Sequence, residues 1–123
     1  HPTEINAVHQ AVTELYPGRK VLAIFQPHLF SRTRDFADGF AESLSQFDEV
    51  FLMDIYPARE LPMEGITSDW LLGKMTSSNK KIVAKNDLLA EIKASDAPII
   101  VTIGAGDIGE MVPSIKKMLN ENI

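Results

Sequence analysis

The sequence has no cysteine. That excludes disulfides and thiolate chemistry and suits a cytoplasmic compartment. It has no long apolar run. Stretches such as 99–103 are strand-sized, far short of the roughly 20 residues a spanning helix needs, so no membrane insertion is expected. Positive charge is scarce: 12 Lys and Arg against 17 Asp and Glu leave a formal net charge of −5. No nucleic-acid partner is expected, because no basic field exists to hold a phosphate backbone. No basic-then-apolar leader opens the chain. There is no Gly-x-x-x-x-Gly-Lys-Ser/Thr phosphate loop, so the main triphosphate site is expected elsewhere. A Gly-x-Ser-x-Gly elbow and a His/Cys cluster at zinc spacing are also missing, and no metal site is expected here. Repeats, low-complexity tracts and internal linkers are absent. The chain opens on His1 rather than methionine and reads as a piece of a longer protein.

What is present is ordinary for one globular domain: 123 residues, 45% hydrophobic and 24% charged, enough to bury a core without staples. Ile5, Val8, Val12 and Leu15 recur at helical spacing, so a helix is expected from Thr3 to Tyr16, started by Pro2 and Thr3 and stopped by Pro17-Gly18. His9, off the centre of that stripe, reads as a surface or boundary histidine. Lys20 to Phe25 is a nearly continuous apolar run, as expected for a strand covered on both faces. A helix is expected from about Arg34 to Phe47, with Phe36, Phe40, Leu44 and Phe47 as core contacts. A second strand spans Glu49 to Met53, and an irregular loop with Pro57 and Pro62 follows, its Arg59 and Glu60 read as surface charges. Thr67 or Ser68 caps a short helix from Asp69 to Met75, with Trp70 on the sheet. Lys80 to Ala84 is a short strand toward an edge, Leu88 to Ala94 a helix, and Ile99 to Ile103 a strongly buried strand. The last helix carries Met111, Val112, Ile115 and Leu119. A helix followed by four β–α units predicts a doubly wound α/β fold with a mostly parallel sheet.

In such a fold, ligands sit at the carboxyl ends of the strands. The stretch Phe25-Gln26-Pro27-His28-Leu29-Phe30-Ser31-Arg32-Thr33-Arg34 occupies that place after the first strand. Pro27 holds Gln26 extended, and Ser31 or Thr33 is expected to cap the following helix, leaving its positive end toward the cleft. Arginine beside a helix N-terminus makes a seat for phosphate or carboxylate. Spacing alone serves two solvated surface arginines equally well. Asp54 ends the second strand and is read as a turn or cap residue. Gly104, Gly106 and Gly109 formally match Gly-x-Gly-x-x-Gly, but they follow the last strand, and no acidic residue ends a further one. Both a tight turn and a phosphate contact stand open there.

The stretch from Phe25 to Arg34 resembles the loop that opens the second half of the carboxy-terminal domain in the Mur ligases, in particular the alanine-adding enzymes. His1-Pro2-Thr3-Glu4-Ile5 is similar to the end of that family's Asp-Asp-Tyr-Gly-His-His-Pro-Thr linker motif. Asp54-Ile55-Tyr56-Pro57-Ala58-Arg59-Glu60 and the turn Gly104-Ala105-Gly106-Asp107-Ile108 agree in order and spacing. The murein tripeptide ligases carry a related third domain, but their loop reads more like Phe-Glu-Pro-Arg-Ser. The resemblance implies a Rossmann-like third domain over residues 1–123 of a bacterial, cytoplasmic enzyme of peptidoglycan synthesis. Its UDP-binding and ATP-binding domains are absent from this chain. It further implies ATP-dependent ligation of L-alanine to UDP-N-acetylmuramate through an acyl phosphate. ATP and Mg²⁺ would be held mainly by the central domain, and this domain would close over the site. Carried over residue by residue, Arg32 reaches the L-alanine carboxylate or the transferring phosphate. His1, His28 and Arg34 join it on the substrate side. His1, Gly104, Gly106 and Asp107 lie on the nucleotide side. Thr33 is loop scaffolding. Leu29 departs from the arginine many relatives have after His28, which puts more weight on Arg32 or Arg34. A related Mur ligase domain and a stand-alone ligand-binding domain are the alternative readings.

Overall fold

A computed structural model of the chain describes residues 1–121. Helix α1 (Pro2–Leu15) leads into strand β1 (Val21–Gln26), and four β–α units follow. They are β1 with α2 (Phe30–Leu44), β2 (Glu49–Leu52) with α3 (Ser68–Lys74), β3 (Lys80–Ile82) with α4 (Leu88–Ala94), and β4 (Ile99–Gly104) with α5 (Asp107–Glu121). All strand pairs are parallel, in the order β3-β2-β1-β4. The expected doubly wound α/β architecture is thus the observed one.

The two-residue period of β1 explains the layering. Val21, Ala23 and Phe25 join Ile5, Val12, Phe40, Leu44 and Leu71 in a core under α1, α2 and α3. Leu22 and Ile24 face the other way, onto Leu88, Ile92, Ile108 and Ile115 of α4 and α5. Every residue of β1 is buried, so truncating a side chain such as Leu22 to alanine would cost about 2–5 kcal/mol. The chain steps from β1 to β3 beneath α2 and α3, then returns to β4 by way of α4 on the opposite face. Right-handed crossovers require that change of face. The order reverses between β1 and β4, and a crevice opens there at their carboxyl ends.

Four local expectations are corrected. Helix α2 begins at Phe30 rather than near Arg34 and ends at Leu44 rather than Phe47. It is kinked at Phe36 (φ −113°, ψ 16°), whose ring is 38% exposed instead of lying in the core. Its N-cap is Leu29, and neither Ser31 nor Thr33 caps it. Strand β4, expected to be strongly buried, is only half-buried at Ile99, Ile100 and Val101, because among the described residues it pairs on one side alone. Along that open edge an apolar hollow of about 820 Å³ runs between Val8, Val12 and Leu15 of α1 and Leu119 of α5. Among the described residues, no helix is long and apolar enough to cross a membrane.

Candidate functional site at the switch point

The crevice between the carboxyl ends of β1 and β4 contains a cavity of about 250 Å³. Its lining includes His1 and Glu4 at the start of α1, His28 from the loop after β1, Arg32 and Phe40 of α2, and Gly104 and Ala105 at the end of β4. Four separate stretches of sequence therefore meet at one point.

The loop after β1 is held rigidly. Pairing continues beyond the strands: Met53 N donates to Phe25 O at 2.9 Å, Tyr56 N to Pro27 O at 2.8 Å and Leu29 N to Tyr56 O at 2.9 Å. The His28 imidazole stacks on Tyr56, with ring centroids 5.8 Å apart and planes 15° from parallel. Leu29 sits at φ 71° and ψ 135°, a region that ordinary side chains avoid and that costs about 1–3 kcal/mol. Its carbonyl is caught twice, by Thr33 N at 3.1 Å and Thr33 Oγ1 at 2.8 Å. Thr33 is fully buried, so it acts as scaffolding.

The N-terminus of α2 is already occupied. Glu60, read from the sequence as a surface charge, reaches back from the loop after β2. It accepts from Ser31 N at 3.0 Å and also from the Ser31 hydroxyl. These bonds hold the Glu60 carboxyl below its ordinary 4.5. The helix end expected to face an anion in the cleft thus carries an internal carboxylate, and nothing near residue 31 in sequence signals this.

The two arginines part company. Arg32 is exposed at the cavity wall and makes no hydrogen bond or ion pair with the other described residues. Arg34 turns away, its Nε donating to Asp35 Oδ1 at 2.8 Å and its Nη1 lying 3.8 Å from Met63 Sδ, outside the cavity. His1 lines the cavity while capping α1, its Nδ1 accepting from Thr3 N at 3.2 Å, and its ring meets Phe36 edge-on at 4.8 Å.

The glycine turn is shaped by packing. Gly104 (φ 116°) lines the cavity, and a Cβ there would lie 2.4 Å from the Gln26 carbonyl. At Gly106 (φ 98°) a Cβ would lie 2.5 Å from the Tyr56 ring. Asp107 sits behind the turn, taking a bond from Gln26 Nε2 at 3.2 Å and pairing with Lys85 at 3.6 Å. Neither Gly106 nor Asp107 reaches the cavity lining. Among the described residues no group of three or more His, Cys, Asp or Glu converges to hold a metal.

Known proteins match this chain closely. One 94% identical over 123 residues, all of this chain and 27% of that protein, is the UDP-N-acetylmuramate–L-alanine ligase of Flavobacterium johnsoniae. Enzymes of the same name from Flavobacterium psychrophilum and Christiangramia forsetii are 73% and 65% identical over 98% and 97% of this chain. The chain spans only about a quarter of the length of these relatives. A crystallised domain assigned to a UDP-N-acetylmuramate:L-alanyl-γ-D-glutamyl-meso-diaminopimelate ligase of Haemophilus ducreyi superposes with a TM-score of 0.67. It covers 97% of this chain and 84% of that one at 20% identity, which supports the fold. The profile of the family described as Mur ligase, glutamate ligase domain, matches residues 1–108. The chain belongs to the Mur ligase family, as a domain of that type.

Proposed function

We propose that this chain is the closing domain of an ATP-dependent ligase that joins L-alanine to UDP-N-acetylmuramate, and that Arg32 carries its part of the chemistry. The observation that carries this reading is the Arg32 guanidinium, without a partner among the described residues, on the switch-point cavity of a chain 94% identical to such a ligase. A volume near 250 Å³ suits an amino acid or a phosphoryl group better than a whole nucleotide. Arg32 and Glu4 both line it, a guanidinium for a carboxylate and a carboxylate for an ammonium, which suits a zwitterion.

The role is positioning and electrostatics. Ligation through an acyl phosphate needs the amine held near the activated carboxyl, with water excluded, and a fixed positive charge near the oxygens that gain charge. Arg32 supplies that charge from a helix end anchored by Glu60, so little reorganisation is needed at the moment of reaction. His1 and His28 offer polar ring edges beside it. ATP and Mg²⁺ belong to the central domain of the parent enzyme on this reading. The half-open β4 edge also fits the third-domain reading. Helix α1 starts at the carboxyl end of the sheet, so a segment entering it would run parallel to the strands. A right-handed crossover into β1 would seat that segment beyond β4, in the apolar hollow.

The test is phosphate release by the parent chain with ATP, Mg²⁺ and UDP-N-acetylmuramate, comparing L-alanine, glycine, L-serine and a murein tripeptide as acceptors. Release that depends on L-alanine is expected. Release only with the tripeptide would assign the related ligase, and none with any acceptor would favour a binding domain. Within the active enzyme, Arg32→Ala should lower kcat/KM for the amino acid by about 10- to 150-fold, the loss of charged hydrogen bonds worth about 1.5–3 kcal/mol. Arg34→Ala should stay close to wild type. An unchanged kcat/KM in Arg32→Ala would remove Arg32 from the site.

A further inference from the structure

Gln26 is the one amide at the end of β1, and it is 2% exposed. A buried amide must find partners for two N–H donors and a carbonyl. Here Nε2 donates to the Asp54 carbonyl at 3.0 Å and to Asp107 Oδ2 at 3.2 Å, while Oε1 accepts from Ile108 N at 2.9 Å. The orientation is unambiguous, because Asp54 O can only accept and the Ile108 amide can only donate. The side chain therefore ties together three chain segments: the end of β1, the loop after β2, and the β4–α5 turn. Its own backbone pairs with Gly104, and a Cβ on Gly104 would strike its carbonyl. With every hydrogen-bonding group engaged inside the protein, Gln26 has nothing left for a ligand, although it borders the cavity.

We infer that Gln26 is a positioning residue of the ligase reaction: its amide clamps the turn at 104–108 against the segment that carries His28 and leads into Arg32 at the start of α2, and so sets the shape of the cavity. This inference rests on the proposed function above. The clamp acts through the turn and not by contact with substrate.

The experiment uses the full parent ligase with Gln26→Ala and Gln26→Glu. Two readouts are taken: hydrogen exchange across the 104–110 turn, and kcat and KM for L-alanine from about pH 6 to 9. In Gln26→Ala the turn should exchange faster while distant peptides stay unchanged, and kcat/KM should fall about tenfold at every pH. Gln26→Glu keeps an acceptor for Ile108 but, when ionised, faces the Asp54 carbonyl and the Asp107 carboxylate. Burial and those acceptors push its pKa up, and its protonated form regains one donor. Its activity should therefore recover toward acid pH, on a limb the wild type lacks. Unchanged exchange in both variants would overturn the clamp. A loosened turn with unchanged kinetics would overturn the positioning role. A wild type silent with every acceptor would overturn the proposed function instead, and the exchange data would still decide whether Gln26 holds the turn.

Discussion

Gly106 has a consequence out of proportion to its size. Its positive φ and its place against the Tyr56 ring both forbid a side chain. Tyr56 in turn stacks with His28, which lines the cavity, so one added methyl would press toward the site through that ring pair. Gly106→Ala should destabilise the domain by about 1–3 kcal/mol, seen as a lower denaturant midpoint at unchanged slope. Gly109, three residues on and inside α5, has open space where its Cβ would go. Gly109→Ala should be neutral or stabilising, by up to about 1 kcal/mol. Equal losses in the two variants would show that helix geometry, rather than contact with Tyr56, constrains this turn. The same scale separates the arginines: two residues apart on a helix, Arg32 and Arg34 point in directions about 200° apart, so only one can face the crevice.

At the scale of elements, α2 depends on a residue far away in the chain. Its N-cap, Leu29, brings no side-chain acceptor, and Glu60 supplies one from a loop of the next β–α unit. Because that carboxyl is held below 4.5 when folded, it takes up its proton less readily in the native than in the unfolded chain. Its contribution to stability is therefore complete above the ordinary value and is lost as pH falls through the lowered one. Glu60→Gln has no such proton. The stability gap between wild type and Glu60→Gln should be widest near neutral pH and narrow below about pH 4.5. Urea titrations at several pH values measure it. A gap that does not change with pH would mean that Glu60 holds α2 by shape alone.

For the whole molecule, the open flank of β4 is the feature that stands out. Leu15 is 71% exposed and Tyr16 46% exposed beside it, an uncommon display for a sheet edge, which natural proteins usually cover or charge. If the segment preceding α1 in the parent enzyme lies there, hydrogen exchange at 99–104 should be slow in the parent enzyme. In the 123-residue chain alone the outward amides of β4 should exchange fast. Fast exchange in both would leave the edge open in the enzyme and remove the added strand.

Local physics determined much of this protein in advance. The apolar run of β1, the spacing of Ile5 and Val12, and the alternation of strands with helices dictate a parallel, doubly wound sheet, because periodicity is a property of neighbours in the chain. The loop from Phe25 to Arg34 and the glycine turn were legible as neighbours at one end of the sheet, since strand ends in this architecture converge. Contacts across the chain decided the rest. Glu60 met Ser31 across 29 residues and Gln26 met Ile108 across 82, and no local pattern encodes either partner. The half-burial of β4, despite its apolar sequence, followed from its place in the strand order. Which arginine faced the cavity depended on where α2 began, and that start was set by Pro27, Leu29 and a carboxylate arriving from another unit.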